Sequence, residues 1–202
     1  IQRAQLLSRM LADLYGPQRL LHDALLPPAL VFRHSGYLRP VHGITPAGGM
    51  HLHIAAFDVA RGADGRWWVV SQRTQSPSGL GYVLHNRLIV SRLYPEAFRE
   101  LRVQHIASSY RRLLDTVQQQ AADVAARLGD GHQPRIALLT PGPYSETYFE
   151  HAYLARYLGL SLVEGADLTA RGDRLFLRTV EGLEPVHGVI RRLDDDYCDP
   201  LE

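Results

Sequence analysis

Apolar residues recur at helical spacing at the start of the chain, with Leu6, Leu7, Met10, Leu11 and Leu14 preceding a Gly16-Pro17 stop. The spacing predicts an amphipathic helix, then a short second helix over 18–25 that ends at Pro27-Pro28. Residues 33–49 are rich in Gly, Pro and His without a period and read as a long loop. Strand-like runs follow at 51–59 and 67–71, and Gly62-Ala63-Asp64-Gly65 between them predicts a tight turn joining antiparallel partners. Residues 72–92, interrupted by Pro77, Gly79 and Gly81, read as a loop suited to carry function. From Pro95 to Leu128 the recurrence of Phe98, Leu101, Ile106, Tyr110, Leu113, Val117, Val124 and Leu128 predicts one long helix, stopped by Gly129.

Beyond Pro134 the pattern turns to α/β. A buried-type strand is expected at 135–140, a tight loop at Pro141-Gly142-Pro143, and a helix over 145–158 with Ser145 as N-cap and Gly159 at its end. Strands are expected at 161–163, 174–179 and 186–191, with Arg171-Gly172-Asp173 a turn. These elements place the chain in a mixed α/β class, divided into a helical and hairpin part over 1–130 and an α/β part over 131–202.

With 46% apolar and 21% charged residues the chain can bury a core, and it has no apolar run near the roughly 20 residues of a membrane span. A net charge of +1 removes the electrostatic case for a dedicated nucleic-acid or anionic-membrane surface. All 22 basic residues are arginines, which excludes Schiff-base or P-loop lysine chemistry and leaves planar forks suited to carboxylates and phosphates. The single Cys198 cannot form an internal disulfide and no leader precedes the first helix, so a reducing cytoplasm is expected. Ile1 begins within a helical pattern and Glu202 follows directly on Asp199-Pro200-Leu201, so both ends read as cut.

Several constellations could carry chemistry. Asp58 ends an apolar strand near Arg61, Gln72 and Arg73, a placement suited to holding a metal or an amine, with a surface ion pair as the alternative. In Ser78-Gly79-Leu80-Gly81-Tyr82 the glycines allow close backbone approach and Ser78 and Tyr82 supply hydroxyls. Gly142 lies at the carboxyl end of a strand, where ligands collect in open α/β sheets, with Glu150 and His151 in the helix that follows. A plain connection with a buried histidine is the alternative reading. Glu164 and Asp167 end another strand and would face the same crevice. The run Arg191-Arg192-Leu193-Asp194-Asp195-Asp196 offers arginines to an anion and aspartates to a divalent cation, or is a solvated turn. His51 and His53, read as alternating on a strand, share a face that a metal could use, but lack a third ligand.

Taken in order, Asp58-Val-Ala-Arg61, Asp64-Gly-Arg-Trp-Trp68, Gln75-Ser-Pro-Ser-Gly-Leu-Gly-Tyr82 and Asn86-Arg87 closely resemble the bacterial circularly permuted ATP-grasp family. So do Leu139-Thr-Pro-Gly-Pro-Tyr144, Tyr148-Phe-Glu-His-Ala-Tyr-Leu-Ala155, Leu162-Val-Glu-Gly-Ala-Asp-Leu168, Gly182-Leu-Glu-Pro-Val186, Arg191-Arg-Leu-Asp-Asp195 and Cys198-Asp-Pro-Leu-Glu202. The resemblance implies the N-terminal part of an ATP- and Mg²⁺-dependent ligase that joins a carboxylate to an amine, in small-molecule or peptide-like substrates, through an acyl phosphate. It implies a permuted ATP-grasp domain followed by a Rossmann-like pre-ATP-grasp domain. It makes Asp58 a candidate magnesium ligand, Asn86 a polar contact, and Arg61, Arg73 and Arg87 candidates for stabilising charge on the transferred phosphoryl group. The family usually places an acidic residue and an asparagine near Ser71-Gln72-Arg73 and a glutamate at His85. These departures support the alternative of a non-catalytic module binding a peptide or protein. The family pattern also continues past residue 202, so these residues alone are expected to turn over nothing.

Overall fold

The computed structural model describes residues 1–131, 133–194 and 198. The chain divides into two compact units, Ile1–Pro77 and Ser78–Glu202.

In the first unit α1 (Gln2–Leu14) forms as its spacing predicts. The second helix is a single turn, α2 (Arg19–His22), and Pro28 opens a further short helix, α3 (Pro28–Phe32), instead of only ending one. Proline fits that first helical position because its missing N–H has no intrahelical partner to lose. The expected loop contains two 3₁₀ turns, Arg39–Val41 and Ala47–Gly49. The hairpin consists of β1 (Ala56–Arg61) and β2 (Trp67–Arg73), antiparallel, with an irregularity between Asp58 and Val59. Its first strand starts later than expected, so His51 and His53 lie outside it and do not share a strand face.

In the second unit, residues 80–93 are helical rather than a loop: α4 (Leu80–Leu93) starts after Gly79, whose φ of 116° suits glycine. The expected long helix is two, α5 (Pro95–Glu100) and α6 (Ala107–Arg127), because Arg102 at φ 50° turns the chain between them. The sheet is parallel, with β3 (Ile136–Leu139) between β4 (Ser161–Val163) and β8 (Gly188–Arg191). The helix α7 (Tyr148–Leu158) connects β3 to β4 and ends on left-handed Gly159 as predicted. Its N-cap position is Thr147, not Ser145, whose hydroxyl instead accepts a bond from the Thr147 N–H.

A separate antiparallel sheet holds β5 (Leu168–Arg171), β6 (Arg174–Thr179) and β7 (Gly182–Val186), with Gly172 in the turn between β5 and β6. The strand expected over 186–191 is therefore the end of β7 plus β8. The chain changes sheets at His187: Val186 pairs with Leu175 in one sheet, and Gly188 pairs with Ile136 in the other.

Leu84 of α4, Tyr110 of α6, and Leu154, Ala155 and Leu158 of α7 close around Leu138 to form the main core. A smaller cluster of Ala137, Val163 and Val186 joins the parallel sheet to Leu168, Leu175 and Leu177 of the antiparallel one. The helix α6, assigned from sequence to the first part of the chain, thus packs on the sheet of the second unit.

Candidate functional site

Because β3, β4 and β8 run parallel, the residues that leave them emerge at one end of the sheet. The Thr140 N–H donates to the Val163 carbonyl at 2.9 Å, and the Arg192 N–H to the Leu139 carbonyl at 2.9 Å, tying the three exits together. Gly142 has a φ of 100°, and a Cβ there would stand 3.1 Å from the Glu164 carboxylate carbon, so only glycine suits both conformation and space. Glu164 and Asp167 close a capping box over the 3₁₀ turn Gly165–Asp167, and the Glu164 N–H donates to Asp167 Oδ2 at 2.9 Å. Both acidic residues remain exposed, as does Tyr144 on the β3–α7 loop. Gly142, Glu164 and Asp167 are thus neighbours at the carboxyl end of the parallel sheet.

Glu150 and His151 lie beneath it, at 0% and 1% exposure. The Glu150 carboxylate accepts bonds from the Gly79 N–H at 2.8 Å, the Gly81 N–H at 3.3 Å and Arg192 Nη2 at 3.2 Å. It thereby caps α4 from α7: the first N–H groups of a helix lack internal partners, and a carboxylate also complements the helix dipole. A Cβ on Gly81 would come 2.7 Å from Glu150 Cγ, so the glycine that reads as a loop breaker is the contact through which the two helices meet.

His151 is held on both sides, its Nδ1 2.8 Å from Thr140 Oγ1 and its Nε2 3.0 Å from Thr147 Oγ1. Thr140 Oγ1 also accepts from the Gly142 N–H at 3.2 Å, so one hydroxyl ties the strand-exit loop to the histidine ring. Burial first, and then the Arg192 charge, lower the His151 pKa, with Glu150 opposing. Of the expected substrate contacts, Glu150, His151 and Arg192 are thus interior groups. Thr140 and Thr147, absent from the sequence reading, orient the histidine; the i,i+4 spacing of Thr147 and His151 was the available signal.

Arg191, at the end of β8, points its Nη1 to Cys198 Sγ at 3.5 Å. Asp195 and Asp196 lie outside the described residues.

Along α4, Ser78 precedes the helix and is exposed, and Asn86 is also exposed. Tyr82 stacks on Phe149, which continues into Tyr153 and Tyr157 along α7 with centroid separations of 5.7, 5.9 and 6.3 Å. His85 packs edge-on against Phe149 and Tyr153, so it serves this aromatic ladder. Arg87 donates to the Gln104 carbonyl at 3.3 Å and sits 5.7 Å over the Phe98 ring, which anchors the α4–α6 connection.

In the first unit, β1 and β2 place Asp58 opposite Ser71. Asp58 is half exposed and accepts from the Ser71 hydroxyl and, at 3.0 Å, from Arg73 Nη2. Arg61 donates from Nε to the Gly65 carbonyl at 3.4 Å, closing the turn. Among the described residues no group of three or more His, Cys, Asp or Glu could hold a metal. Asp58 nonetheless matches the donor chemistry of Mg²⁺, which takes one or two carboxylates with substrate phosphates and water completing its shell. Its pair with Arg73 is exposed and therefore weak, so both groups are available to exchange partners.

The profile of the circularly permuted ATP-grasp type 2 family matches residues 1–202. The chain belongs to this family. Relatives are uncharacterized proteins of bacteria: one from Synechocystis is 39% identical across 98% of this chain and 40% of its own length. One from Mycobacterium bovis is 40% identical across 100% of the chain and 22% of its own length. A third, from Mycobacterium leprae, is 36% identical across 100% of the chain and 35% of its own length. The chain thus spans 40% or less of the length of these relatives. No helix among its described residues is long and apolar enough to cross a membrane.

Proposed function

We propose that residues 1–202 form part of an ATP-dependent carboxylate–amine ligase. The family match along the whole chain carries this reading. A substrate carboxylate is activated as its acyl phosphate with loss of ADP, and the amine then attacks the acyl carbon and releases phosphate. Mg²⁺ supplies charge neutralisation of the nucleotide phosphates. In this reading Asp58 is its ligand from the hairpin, and Arg73, released from Asp58, turns to the phosphoryl oxygens alongside Arg61 and Arg87. Tyr82 and the exposed Ser78 and Asn86 contact nucleotide, while the Gly79 N–H, expected from sequence to approach the ligand, stays on Glu150.

The second unit serves as the Rossmann-like pre-ATP-grasp domain. Its crevice at Gly142, Glu164, Asp167 and Arg191 receives the small-molecule or peptide substrates, over the Glu150–Arg192 pair and His151. Residues 1–202 alone do not turn over, and the protein works in the cytoplasm. Support for this placement comes from the parallel strand ends, where open α/β sheets bind ligands.

Positional isotope exchange in ATP tests the reaction. A longer protein containing these residues is expected to scramble label between the β,γ-bridging and β-nonbridging positions only when a carboxylate substrate is present. ATP cleavage indifferent to every carboxylate and amine offered would refute the ligase. One observation favours a second reading: both Asp58 oxygens are already engaged, by Ser71 and Arg73. A degenerate module that binds a peptide or protein partner would show peptide binding with no ADP formed.

A further inference from the structure

The first unit contains an open cleft of about 360 Å³ lined by Gln18, Phe32, Tyr37, Arg39 and His42, none of them assigned above to the ligase. Its walls are fixed by specific contacts. Tyr37 stacks on Tyr15 with centroids 5.1 Å apart and meets Phe32 edge-to-face at 5.3 Å. Gln18 takes a left-handed conformation at φ 55°, uncommon for a residue with a Cβ, and its Nε2 donates to the Leu14 carbonyl and the Tyr37 hydroxyl, both at 3.2 Å. His42 is set by its Nε2, which donates to the Gly16 carbonyl at 3.0 Å.

The lining joins an exposed aromatic surface at Phe32 to two bases and contains no acid. Among the described residues no carboxylate pairs with Arg39. A planar guanidinium grips a carboxylate through two parallel bonds, and an aromatic wall accepts a flat ring. The volume lies near the lower end of the roughly 300–1,000 Å³ usual for ligand pockets, which suits a single-ring compound. We propose that this cleft binds a small aromatic carboxylate, its ring against Phe32 and Tyr37 and its carboxylate on Arg39. The site stands independently of the ligase reading.

The test is an NMR titration of the 202-residue chain with 4-hydroxybenzoate, with 4-hydroxybenzamide and acetate for comparison. The acid is expected to bind at least about tenfold more tightly than the amide, as a charge-assisted pair demands, and more tightly than acetate, with shifts centred on Phe32, Tyr37 and His42. Arg39→Gln, a change at an exposed side chain, should erase the preference of acid over amide, and Arg39→Lys should restore part of it. Phe32→Leu should weaken both ring compounds. Equal binding of acid and amide, equal binding of acetate, or a preference unchanged in Arg39→Gln would each overturn the proposal.

Discussion

The hairpin and the α7 helix each present a carboxylate paired with an arginine, yet the two pairs live in opposite surroundings. Asp58 and Arg73 stand in solvent at 51% and 62% side-chain exposure, whereas Glu150 and Arg192 are at 0% and 2%. An exposed pair gains little and exchanges partners readily; a buried one has given up hydration and cannot lose a partner without leaving a stranded charge. The comparison separates two kinds of charged residue that look equally functional in sequence. Asp58 keeps its partners in solvent, where they exchange readily, and Glu150 holds the join between α4 and α7.

The comparison breaks most visibly at Glu150. Glu150→Ala removes a buried charge partner of Arg192 and uncaps α4, and it is expected to cost about 3–5 kcal/mol, read as a large fall in the midpoint of chemical denaturation followed by far-UV circular dichroism. Gly81→Ala forces a Cβ to within 2.7 Å of Glu150 Cγ and is expected to cost about 1–3 kcal/mol by the same measurement.

A smaller effect follows from His151. Its folded pKa lies below the unfolded value near 6.5, so between the two the unfolded chain binds the extra proton. The stabilisation it provides is fully present above about pH 6.5 and declines as pH falls through the depressed folded value. Denaturation midpoints measured between pH 7.5 and 5 should show this decline, and His151→Gln should flatten it at some cost in stability at pH 7.5. The smallest change is expected at the hairpin: Arg73→Ala should alter stability by less than about 1 kcal/mol, with the fluorescence of Trp67 and Trp68 reporting on the strands it leaves behind.

What could be read from sequence follows the range of the interaction. The hairpin turn and the left-handed Gly159 are set by neighbouring residues, and both were legible. The helix α4 was not: its opening is glycine-rich, and its acceptor, Glu150, lies about 70 residues further on, recorded in the sequence only as an isolated charge. The long helix lost its continuity at left-handed Arg102, where the three-to-four apolar spacing widens to five residues between Leu101 and Ile106, a gap too slight on its own to mark a break. The strand at 186–191 looked single because an apolar run does not say which sheet each residue joins. For the candidate site, the strand-end residues Gly142, Glu164 and Asp167 could be grouped from topology alone. The interior role of Glu150 required its distant partners, whereas that of His151 was foreshadowed only by Thr147 one helical turn away.

One measurement tests the division between the two pairs most directly: MgATP-dependent product formation and thermal midpoint, taken together, for Asp58→Ala and Glu150→Ala in a longer protein that carries residues 1–202. The expected result is that Asp58→Ala abolishes turnover at an unchanged midpoint, while Glu150→Ala lowers the midpoint severely. Full turnover in Asp58→Ala, or a Glu150→Ala protein as stable as the parent, would contradict the account.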